Sequence, residues 1–362
     1  MNAVPQTMQA LVYRGPDDLR LETVPTPRLE PDELLVKVAA CGVCPTDLKK
    51  IHFGTVPPPR IFGHETSGII VRLGSRVRGF RLGQRVALHH HVPCLRCRAC
   101  RHRAFAQCPQ YKRTGTTAGF EPAGGGYAEY LKVLPFVFPG IVKLPARNTF
   151  LEGAMLEPVN TVLKAILRLD LLRGDNVLVA GQGPIGLLFT RLLHLRGACV
   201  LASDFLPTRL SVAGKLGAKW VTRADDPDFA QLARKLLGKQ GLDAAIICAP
   251  SDAAMLQAQE LLNGGGKILL FAHTRRGSLT PLDLSSVCVD EKDLIGSYSA
   301  DFTLQTSVAR LVFSRRLDVR QIITHQFPLS QAQAAIDLAS HPTPDSLKVI
   351  IQPHVDELGE RD

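Results

Sequence analysis

Four of the nine cysteines in this 362-residue chain stand close together in the stretch HHHVPCLRCRACRHRAFAQC. They are Cys94, Cys97, Cys100 and Cys108, with two, two and seven residues between them. Four thiolates at this spacing can close a tetrahedral shell around one zinc ion, which leaves no position for a substrate. The spacing therefore predicts a structural zinc lobe, with the arginines of the stretch on its solvated surface.

A second set of possible metal ligands is dispersed along the chain. Cys44 lies in CGVCPTD, His64 and Glu65 lie in FGHETSG, and Glu157 lies in MLEPVN. A thiolate, an imidazole and a carboxylate gathered by the fold would leave a zinc ion with an open or water-filled position, as catalysis requires. From the pattern alone, an ordinary hydrogen-bonded role for each residue is equally compatible.

A third constellation is glycine-rich and lies in NVLVAGQGPIGLLFTRLLHLRGACVLASDF, residues 176–205. An apolar strand runs into Gly181-x-Gly183-x-x-Gly186, a helix follows, and a second strand ends at Asp204. Such glycines permit a tight turn, close approach of a pyrophosphate and close helix–strand packing, while the free N–H groups of the helix bind the phosphates. This order of elements predicts a dinucleotide site.

The acidic residue that ends this unit bears on the choice of dinucleotide. Asp204 can accept hydrogen bonds from the adenosine ribose hydroxyls and would repel a 2′-phosphate, so NAD is favoured over NADP. Arg209 could neutralise such a phosphate, although a role as an exposed helix residue or a flat cover for adenine is the more ordinary interpretation. The predicted cofactor-binding residues are Gly181, Gly183, Pro184, Ile185, Gly186, Asp204 and Arg209.

Two successive sequence patterns along the chain indicate the secondary structure that holds these residues. From Met8 to about Leu151, short alternating stretches and frequent turn residues are typical of an irregular antiparallel barrel. From about Asn176 to Tyr298, apolar strand-like runs alternate with helical patterns, as in a parallel sheet flanked by helices. Near the end of the chain, SLKVIIQP is predicted to be a strand that rejoins the first domain.

Composition and charge exclude several classes of function. The chain is 45% hydrophobic and 21% charged, as in an ordinary globular protein. Its formal net charge of +10 comes from basic residues scattered among acids, whereas a nucleic-acid binder concentrates them in one patch. No signal peptide or apolar run of about 18 residues is evident, and the clustered cysteines favour ligands over disulfides. We expect a cytoplasmic protein with no nucleic-acid or membrane partner.

The sequence resembles the zinc-dependent medium-chain dehydrogenases, the family of alcohol, sorbitol and threonine dehydrogenases. The motifs that carry the resemblance are C-x-T-D from Cys44, GHETSGIIVRLGSRV from Gly63, GQRV from Gly83, the four-cysteine lobe, GGYAEY from Gly125, LEPV from Leu156 and the glycine fingerprint. The run that begins with GHE is specific to the zinc-bearing branch. The glutamates and the EPV motif are more similar to sorbitol and threonine dehydrogenases than to animal alcohol dehydrogenases.

This resemblance implies a two-domain α/β fold with two zinc ions per chain. A partly open, GroES-like β-barrel (residues 1–155 and 300–362) would hold both ions, and a doubly wound parallel-sheet Rossmann domain (residues 156–299) would bind NAD, with catalysis in the cleft between them. Cys44, His64 and Glu65 would hold the catalytic zinc, with Glu157 joining directly or through water.

The resemblance also implies the reaction and the assembly. The chain would oxidise a secondary alcohol, namely a polyol, sugar or hydroxy-amino compound, to a ketone by hydride transfer to NAD, with NADP less favoured. Thr46 would accept the hydroxyl proton, and Asp47 would orient the site. Many relatives have a histidine two residues after that aspartate, but this chain has Lys49, with His52 three residues further on, so the proton exit is left open. Relatives are commonly homodimers or homotetramers.

The three consecutive histidines, His89, His90 and His91, lie in a segment that lines the substrate pocket in relatives. Imidazoles there, with His90 and His91 as the candidates, would favour a hydroxylated substrate over a simple aliphatic alcohol. Capping of a strand or contact with the zinc lobe is equally compatible with their position.

Two other functions are compatible with the same motifs. One is an NADPH-dependent carbonyl reductase on the same fold, and the other is a zinc-stabilised structural or RNA-binding relative that has lost catalysis. All the catalytic positions are filled, which argues against the second; they are Cys44, Thr46, His64, Glu65 and Glu157. Two zinc ions per chain would indicate an enzyme, and one would indicate a structural remnant.

Overall fold

A computed structural model describes residues 3–272, 277 and 279–354 of the chain. The chain forms two compact units. The first comprises Met1–Asn160 and Ala300–Asp362, and the second comprises Thr161–Ser299. The domain limits drawn from the sequence stay a prediction, and their outermost residues, 1–2 and 355–362, lie outside the described part of the chain.

The two units contain strands and helices that are numbered here in chain order. The strands are β1 (Thr7–Gly15), β2 (Asp18–Pro25), β3 (Leu34–Gly42), β4 (Glu65–Leu73), β5 (Arg85–Ala87), β6 (Thr116–Thr117), β7 (Tyr130–Val133), β8 (Val142–Lys143), β9 (Asn176–Ala180), β10 (Cys199–Asp204), β11 (Trp220–Arg223), β12 (Leu242–Ile247), β13 (Leu262–Leu270), β14 (Asp293–Gly296), β15 (Ile323–Pro328) and β16 (Lys348–Gln352). The α-helices are α1 (Pro45–Phe53), α2 (Arg98–Arg101), α3 (Pro109–Lys112), α4 (Phe150–Ala154), α5 (Leu156–Leu169), α6 (Pro184–Leu195), α7 (Pro207–Lys215), α8 (Phe229–Leu237), α9 (Asp252–Leu261), α10 (Leu284–Val289), α11 (Gln305–Phe313) and α12 (Ala332–Ser340).

The first unit is built on a mixed sheet in the order β15-β16-β3-β4-β5-β8, with β7 also paired to β3 and β6 paired to β7. Strand β3 pairs antiparallel with β4, β7 and β16, so the last strand rejoins the first unit, as the sequence predicts. The hairpin β1–β2 lies beside this sheet and buries Tyr13, whose ring packs against Phe62 at 5.3 Å between centroids. The sheet places the end of β3 beside the start of β4.

The second unit is a parallel sheet in the order β11-β10-β9-β12-β13-β14. Strand β9 (NVLVA) pairs with a strand on each side and is buried along its whole length, as a central strand of a parallel sheet covered on both faces is, and four of its five residues are apolar. The strand order reverses at β9, between β10 and β12, and ligands bind outside the carboxyl ends of strands at such a point. The predicted fold class, a GroES-like barrel with a Rossmann sheet, is confirmed.

A buried carboxylate fixes the segment that leads into α5. Thr149 and Glu152 form a reciprocal capping box at the start of α4. The Glu152 carboxylate also accepts a 3.0 Å hydrogen bond from Arg315 Nε and a 2.9 Å bond from Asn148 Nδ2. Burial raises the pKa of Glu152. The hydrogen bonds from the Arg315 side chain, the Thr149 amide and Asn148 lower it by more than burial raises it, so the net pKa lies below the usual value.

A membrane-spanning helix is characterised by its length and its apolar character. None of the helices in the described part of the chain combines the length and the apolar character that crossing a bilayer requires.

Candidate metal centre and cofactor site

The four clustered cysteines are brought together in the first unit. The sulfur atoms of Cys94, Cys97, Cys100 and Cys108 all lie within 4.8 Å of one another. Cys97 Sγ is 3.5 Å from Cys100 Sγ, and Cys94 Sγ is 4.0 Å from it. Cys97 and Cys108 are the residues that precede the short helices α2 and α3, so each helix start aims a sulfur into the cluster.

Backbone amides prepare this cluster for a cation. N–H groups of Arg96 and Cys97 lower the pKa of the Cys94 thiol, which favours the thiolate. Burial raises the pKa of Cys100, so its thiol ionises only when a cation compensates the charge. Four sulfur donors with no other ligand type fit one closed zinc site.

A second donor group consists of Cys44, His64 and Glu65, whose ligand atoms also lie within 4.8 Å of one another. Cys44 is the residue before helix α1, while His64 and Glu65 lie where β4 begins. Gly63 makes the sharp turn before them with a φ of 94°. A side chain there would meet the Tyr127 ring at 2.6 Å and Cys41 Sγ at 2.8 Å, so only glycine lets the backbone pass.

Asp47 on α1 holds the imidazole of this group in place. Its Oδ2 atom accepts a 2.9 Å hydrogen bond from His64 Nδ1 and a 3.1 Å bond from the Gly63 amide. Asp47 is fully buried, and burial alone would raise its pKa, but the charges of His64 and Lys50 and these two hydrogen bonds lower it to about 2. With Nδ1 engaged, Nε2 is the atom of His64 left to bind a metal.

The third ligand of this group has a buried cationic partner that sequence reasoning missed. Glu65 Oε2 forms an ion pair with Lys348 Nζ, and both side chains are almost completely buried. Lys348 also donates a 2.9 Å hydrogen bond to the Val43 carbonyl. Burial lowers the pKa of Lys348, but the charges of Glu65 and Cys44 raise it, and the net pKa lies above the usual value. Lys348 opens β16, so only its predicted return to the first domain hinted at a place near the site.

Glu157 lies near His64, but it belongs to a donor group other than that of Cys44, His64 and Glu65. Its carboxylate, His64 and His90 offer ligand atoms that all lie within 4.8 Å of one another, and all three residues are buried. Glu157 lies in the first turn of α5, which Asn160 anchors through a 2.9 Å hydrogen bond from Nδ2 to the Asp301 carbonyl and a 2.8 Å bond accepted from the Asp301 amide. The four predicted catalytic ligands therefore divide into two groups that share His64.

The three consecutive histidines have different surroundings. The His90 ring lies 4.7 Å from that of His64, and the His91 ring stacks on Tyr111 at 4.6 Å. Both ring nitrogens of His89 are buried. Burial lowers the pKa of His89 to about 4 and that of His91 to about 3, and it also holds the pKa of His90 well below its usual value, so all three rings are neutral near pH 7.

Three further residues on α1 are candidates for carrying the proton of the substrate hydroxyl away from the site. Thr46 is half-buried in the first turn of α1, next to the ligand-bearing segment. Burial lowers the pKa of Lys49, although Cys44 opposes that shift. His52 is held at the surface, with Nδ1 2.5 Å from Asp17 Oδ1 and Nε2 2.9 Å from Ser340 Oγ.

The glycine fingerprint forms the turn between β9 and α6. Gly181 has a φ of 95°, and its amide donates a 2.8 Å hydrogen bond to the Ser203 carbonyl. A Cβ on Gly186 would overlap the Gly181 carbonyl oxygen, whereas a Cβ on Gly183 would meet nothing within 4 Å. Gly186 therefore serves helix–strand packing, and Gly183 keeps space open for a ligand. Pro184 and Ile185 begin α6; proline has no N–H, so the free N–H groups of this first turn that can bind phosphate come from the residues after it.

The predicted ribose-binding acid ends β10 beside this turn. Asp204 Oδ2 accepts a 2.6 Å hydrogen bond from the Gln182 amide, and Oδ1 accepts a 2.9 Å bond from the Leu206 amide. Arg209 on α7 is half-buried, and its Nε has no hydrogen-bond partner in the part of the chain that the structure describes. Each carboxylate oxygen still has a lone pair for a ribose hydroxyl, so the site fits a dinucleotide.

Two family models match the chain. A model described as alcohol dehydrogenase GroES-like domain matches residues 30–145, and one described as zinc-binding dehydrogenase matches residues 184–314. The sorbitol dehydrogenase of Bacillus subtilis (strain 168) is 30% identical over 360 residues, covering 98% of this chain and 99% of that protein. The erythritol/L-threitol dehydrogenase of Mycolicibacterium smegmatis is 30% identical over 368 residues, covering 97% and 99%.

A solved structure supports the same relationship. A protein from Sinorhizobium meliloti 1021, described as a zinc-binding dehydrogenase bound to NADP, superposes with a TM-score of 0.86 at 28% identity. The superposition covers 96% of this chain and 100% of that one. Sequence and structure thus agree along nearly the whole chain.

Proposed function

The chain belongs to the zinc-dependent medium-chain dehydrogenase family, in its sorbitol dehydrogenase-like branch, and on that premise we propose that it oxidises a polyol or a related hydroxylated compound with NAD. It is a zinc-dependent oxidoreductase that uses NAD or NADP and acts on secondary alcohols. The substrate class, the preference for NAD and the role of each site residue are the parts proposed here.

The observation that carries the proposal is the group Cys44, His64 and Glu65. A thiolate, an imidazole and a carboxylate are ligands that zinc accepts, and three protein ligands leave a position for a substrate oxygen. When bound, zinc supplies a Lewis acid that lowers the pKa of an alcohol hydroxyl, and NAD supplies the acceptor for the carbinol hydrogen.

The side chains around the metal position have separate tasks in this proposal. Asp47 fixes the tautomer and the orientation of His64 through the bond to Nδ1, so Nε2 is presented without rearrangement. Lys348 holds the Glu65 carboxylate in place through the ion pair at Oε2. Thr46 relays the proton of the substrate hydroxyl: its hydroxyl oxygen takes that proton while its own hydroxyl proton passes outward.

The onward route of the proton differs from that in many relatives. His52 already bonds Asp17 and Ser340 with its two ring nitrogens, so it is poorly placed to take the proton. Lys49 on α1 is nearer in sequence to Cys44 than His52 is, and burial lowers its pKa, which favours the neutral amine that can accept a proton. Lys49 therefore serves as the next proton acceptor in the proposed route.

Preference for NAD is supported by the carboxylate at the end of β10. Asp204 would face the adenosine ribose, where a negative charge disfavours a 2′-phosphate. One observation favours the alternative of an NADPH-dependent reductase: the similar structure from S. meliloti holds NADP. Arg209, whose buried Nε has no hydrogen-bond partner among the described residues, is the residue that would bind the additional phosphate.

Assembly and location belong to the same proposal. We expect a homodimer or homotetramer, because β14 is an edge strand of the parallel sheet and Val289 and Tyr298 beside it are 78% and 56% exposed. A cytoplasmic location stays a prediction from the use of cysteine as a ligand. Light scattering of the purified protein measures the first point.

The direct test of this function is a substrate screen. Polyols, sugars and amino alcohols are offered with NAD or with NADP, and the absorbance of the reduced cofactor is followed. The proposal expects turnover of at least one polyol, with NAD preferred. Activity confined to ketone reduction with NADPH would replace it by the reductase, and no turnover in a protein that retains a single zinc would replace it by the non-catalytic alternative.

A further inference from the structure

His90 lies outside the ligand set that the family resemblance implies, yet it adjoins the metal position. His90 is 6% exposed, and its ring lies 4.7 Å from that of His64, at an interplanar angle of 40°. It offers a nitrogen within 4.8 Å of ligand atoms on both His64 and Glu157. Two donor groups, Cys44–His64–Glu65 and His64–His90–Glu157, thus share one imidazole.

The shared imidazole determines how the two groups can be used. His64 Nδ1 is engaged by Asp47 at 2.9 Å, so both groups depend on its Nε2 atom. One nitrogen lone pair binds one ion, and the two groups cannot be filled at the same time. The two groups are therefore alternatives, and an ion could use only one of them at a time.

A buried ring nitrogen of His90 lacks a protein partner among the described residues, which indicates that an ion or a water molecule binds beside it. His90 Nδ1 is buried and has no hydrogen-bond partner in the portion of the chain described. A buried polar nitrogen without a partner is destabilising, and native proteins satisfy such groups with protein, water or an ion. The neighbouring His91 ring lies 3.9 Å away and stacks on Tyr111, so His90 alone of the three consecutive histidines joins the group around Glu157.

The second group has the chemistry of a zinc site. Two imidazoles and one carboxylate are a ligand set that zinc adopts in enzymes, with a further position left open. In the first group the Glu65 carboxylate also carries an ion pair with Lys348, so part of its charge is already compensated within the protein. We infer that His90 is a ligand of the catalytic metal, which has a second position between His64, His90 and Glu157 in addition to that at Cys44. This inference rests on the proposed function for the presence of the metal.

The test measures metal retention with the thiolate position removed. Zinc content is determined at graded concentrations of free zinc for the wild type, for Cys44→Ser, and for Cys44→Ser combined with His90→Ala or with His91→Ala. The four-cysteine lobe stays intact in every variant, and thermal unfolding reports whether each one folds. His91→Ala is the matched control because it removes an adjacent ring that belongs to neither group.

We expect Cys44→Ser to bind a catalytic zinc ion, in addition to the zinc of the four-cysteine lobe, with weakened affinity. The position between His64, His90 and Glu157 remains in that variant. Adding His90→Ala should lower the affinity for that ion by roughly 100-fold or more, since loss of a supporting residue alone costs about 10–100-fold. His91→Ala should leave the affinity for that ion nearly unchanged. Equal zinc affinity in Cys44→Ser and in Cys44→Ser with His90→Ala would overturn the inference, and so would complete loss of the second zinc in Cys44→Ser alone.

These outcomes are independent of the substrate screen. Zinc binding that depends on His90 in a protein without alcohol turnover would retain the second position and reject the proposed function. Alcohol turnover in a protein whose zinc affinity does not change with His90→Ala would support the proposed function and reject the second metal position.

Discussion

At the scale of single residues, the site depends on side chains that hold the ligands as much as on the ligands. Asp47 and Lys348 are both buried, and each bonds one proposed ligand. The C-x-T-D motif allowed Asp47 to be predicted, because it lies three residues from Cys44. Lys348 could not be found in the same way, because contacts between residues distant along the chain depend on which strands pair.

The first residue-level prediction concerns Asp47→Asn. An amide still fills the space, but it lacks the negative charge that the His64 imidazole and the Gly63 amide contact. Zinc affinity at the catalytic site should fall by about 10–100-fold, as for other residues that support metal ligands. Zinc titration of the purified variant measures this, with Asp17→Asn at the exposed His52 pair as control. An Asp47→Asn protein that binds zinc like the wild type would show that Asp47 does not support the ligand.

At the scale of elements, the ends of helices and strands carry the chemistry. Cys44 precedes α1, Glu65 opens β4, Glu157 lies in the first turn of α5, and Asp204 ends β10. Local patterns predicted the glycine turn well because all its parts lie in thirty consecutive residues. They did not predict that His64 would serve two donor groups, since the position of His90 follows from the course of the segment after β5.

The glycine turn gives a prediction that separates packing from ligand binding. Gly183→Ala should leave thermal unfolding unchanged and weaken NAD binding severalfold, because its Cβ meets nothing in the protein but would occupy the space left for a phosphate. Gly186→Ala should lower the unfolding temperature by several degrees, since its Cβ overlaps the Gly181 carbonyl oxygen. Calorimetric unfolding and NAD titration of both variants measure the two effects, and the reverse assignment would contradict this division of roles.

A second prediction at this scale concerns Glu152→Gln. The variant loses the charge that the Arg315 side chain and the Thr149 amide bond, so stability at pH 7 should fall by about 1–3 kcal/mol. The pKa of Glu152 is lowered in the folded state, so its contribution is present above the ordinary glutamate pKa and is lost as the pH falls through the folded value. The difference from the wild type should therefore shrink in acid.

Unfolding temperatures at several pH values check the Glu152 prediction. Glu22→Gln is the matched control, because its pair with Arg14 lies on the surface hairpin and should matter little. A stability difference for Glu152→Gln that stays constant from neutral to acidic pH would mean that the charge is not the cause.

At the scale of the whole molecule, the sequence predicted the architecture better than the detailed site. The two successive sequence patterns predicted a barrel-like unit and a parallel sheet. The late strand SLKVIIQP was expected to rejoin the first domain, where β16 pairs with β3. Hydrophobic periodicity establishes these features because it reflects burial along an entire element. The relative placement of His90, Glu157 and Lys348 depends on several long-range pairings at once, so no local pattern encodes it.

The zinc lobe gives a prediction for the molecule as a whole. Cys100→Ser should lose one zinc ion per chain and unfold at a lower temperature, because the free energy of binding a structural zinc contributes to folding. The catalytic metal should remain. Elemental analysis with calorimetry tests this, and Cys288→Ser, at an exposed cysteine on α10, is the control. Retention of both ions by Cys100→Ser would contradict a four-cysteine site.

The central claim is that alcohol oxidation depends on a metal held at Cys44, and one measurement tests it most directly. The rate of NAD reduction with the best polyol of the screen is compared between the wild type and Cys44→Ser, at equal protein and with the four-cysteine zinc retained in both. Loss of several kcal/mol of transition-state stabilisation predicts a fall in kcat/KM of roughly 1,000-fold or more. Turnover by Cys44→Ser at the rate of the wild type would contradict the claim.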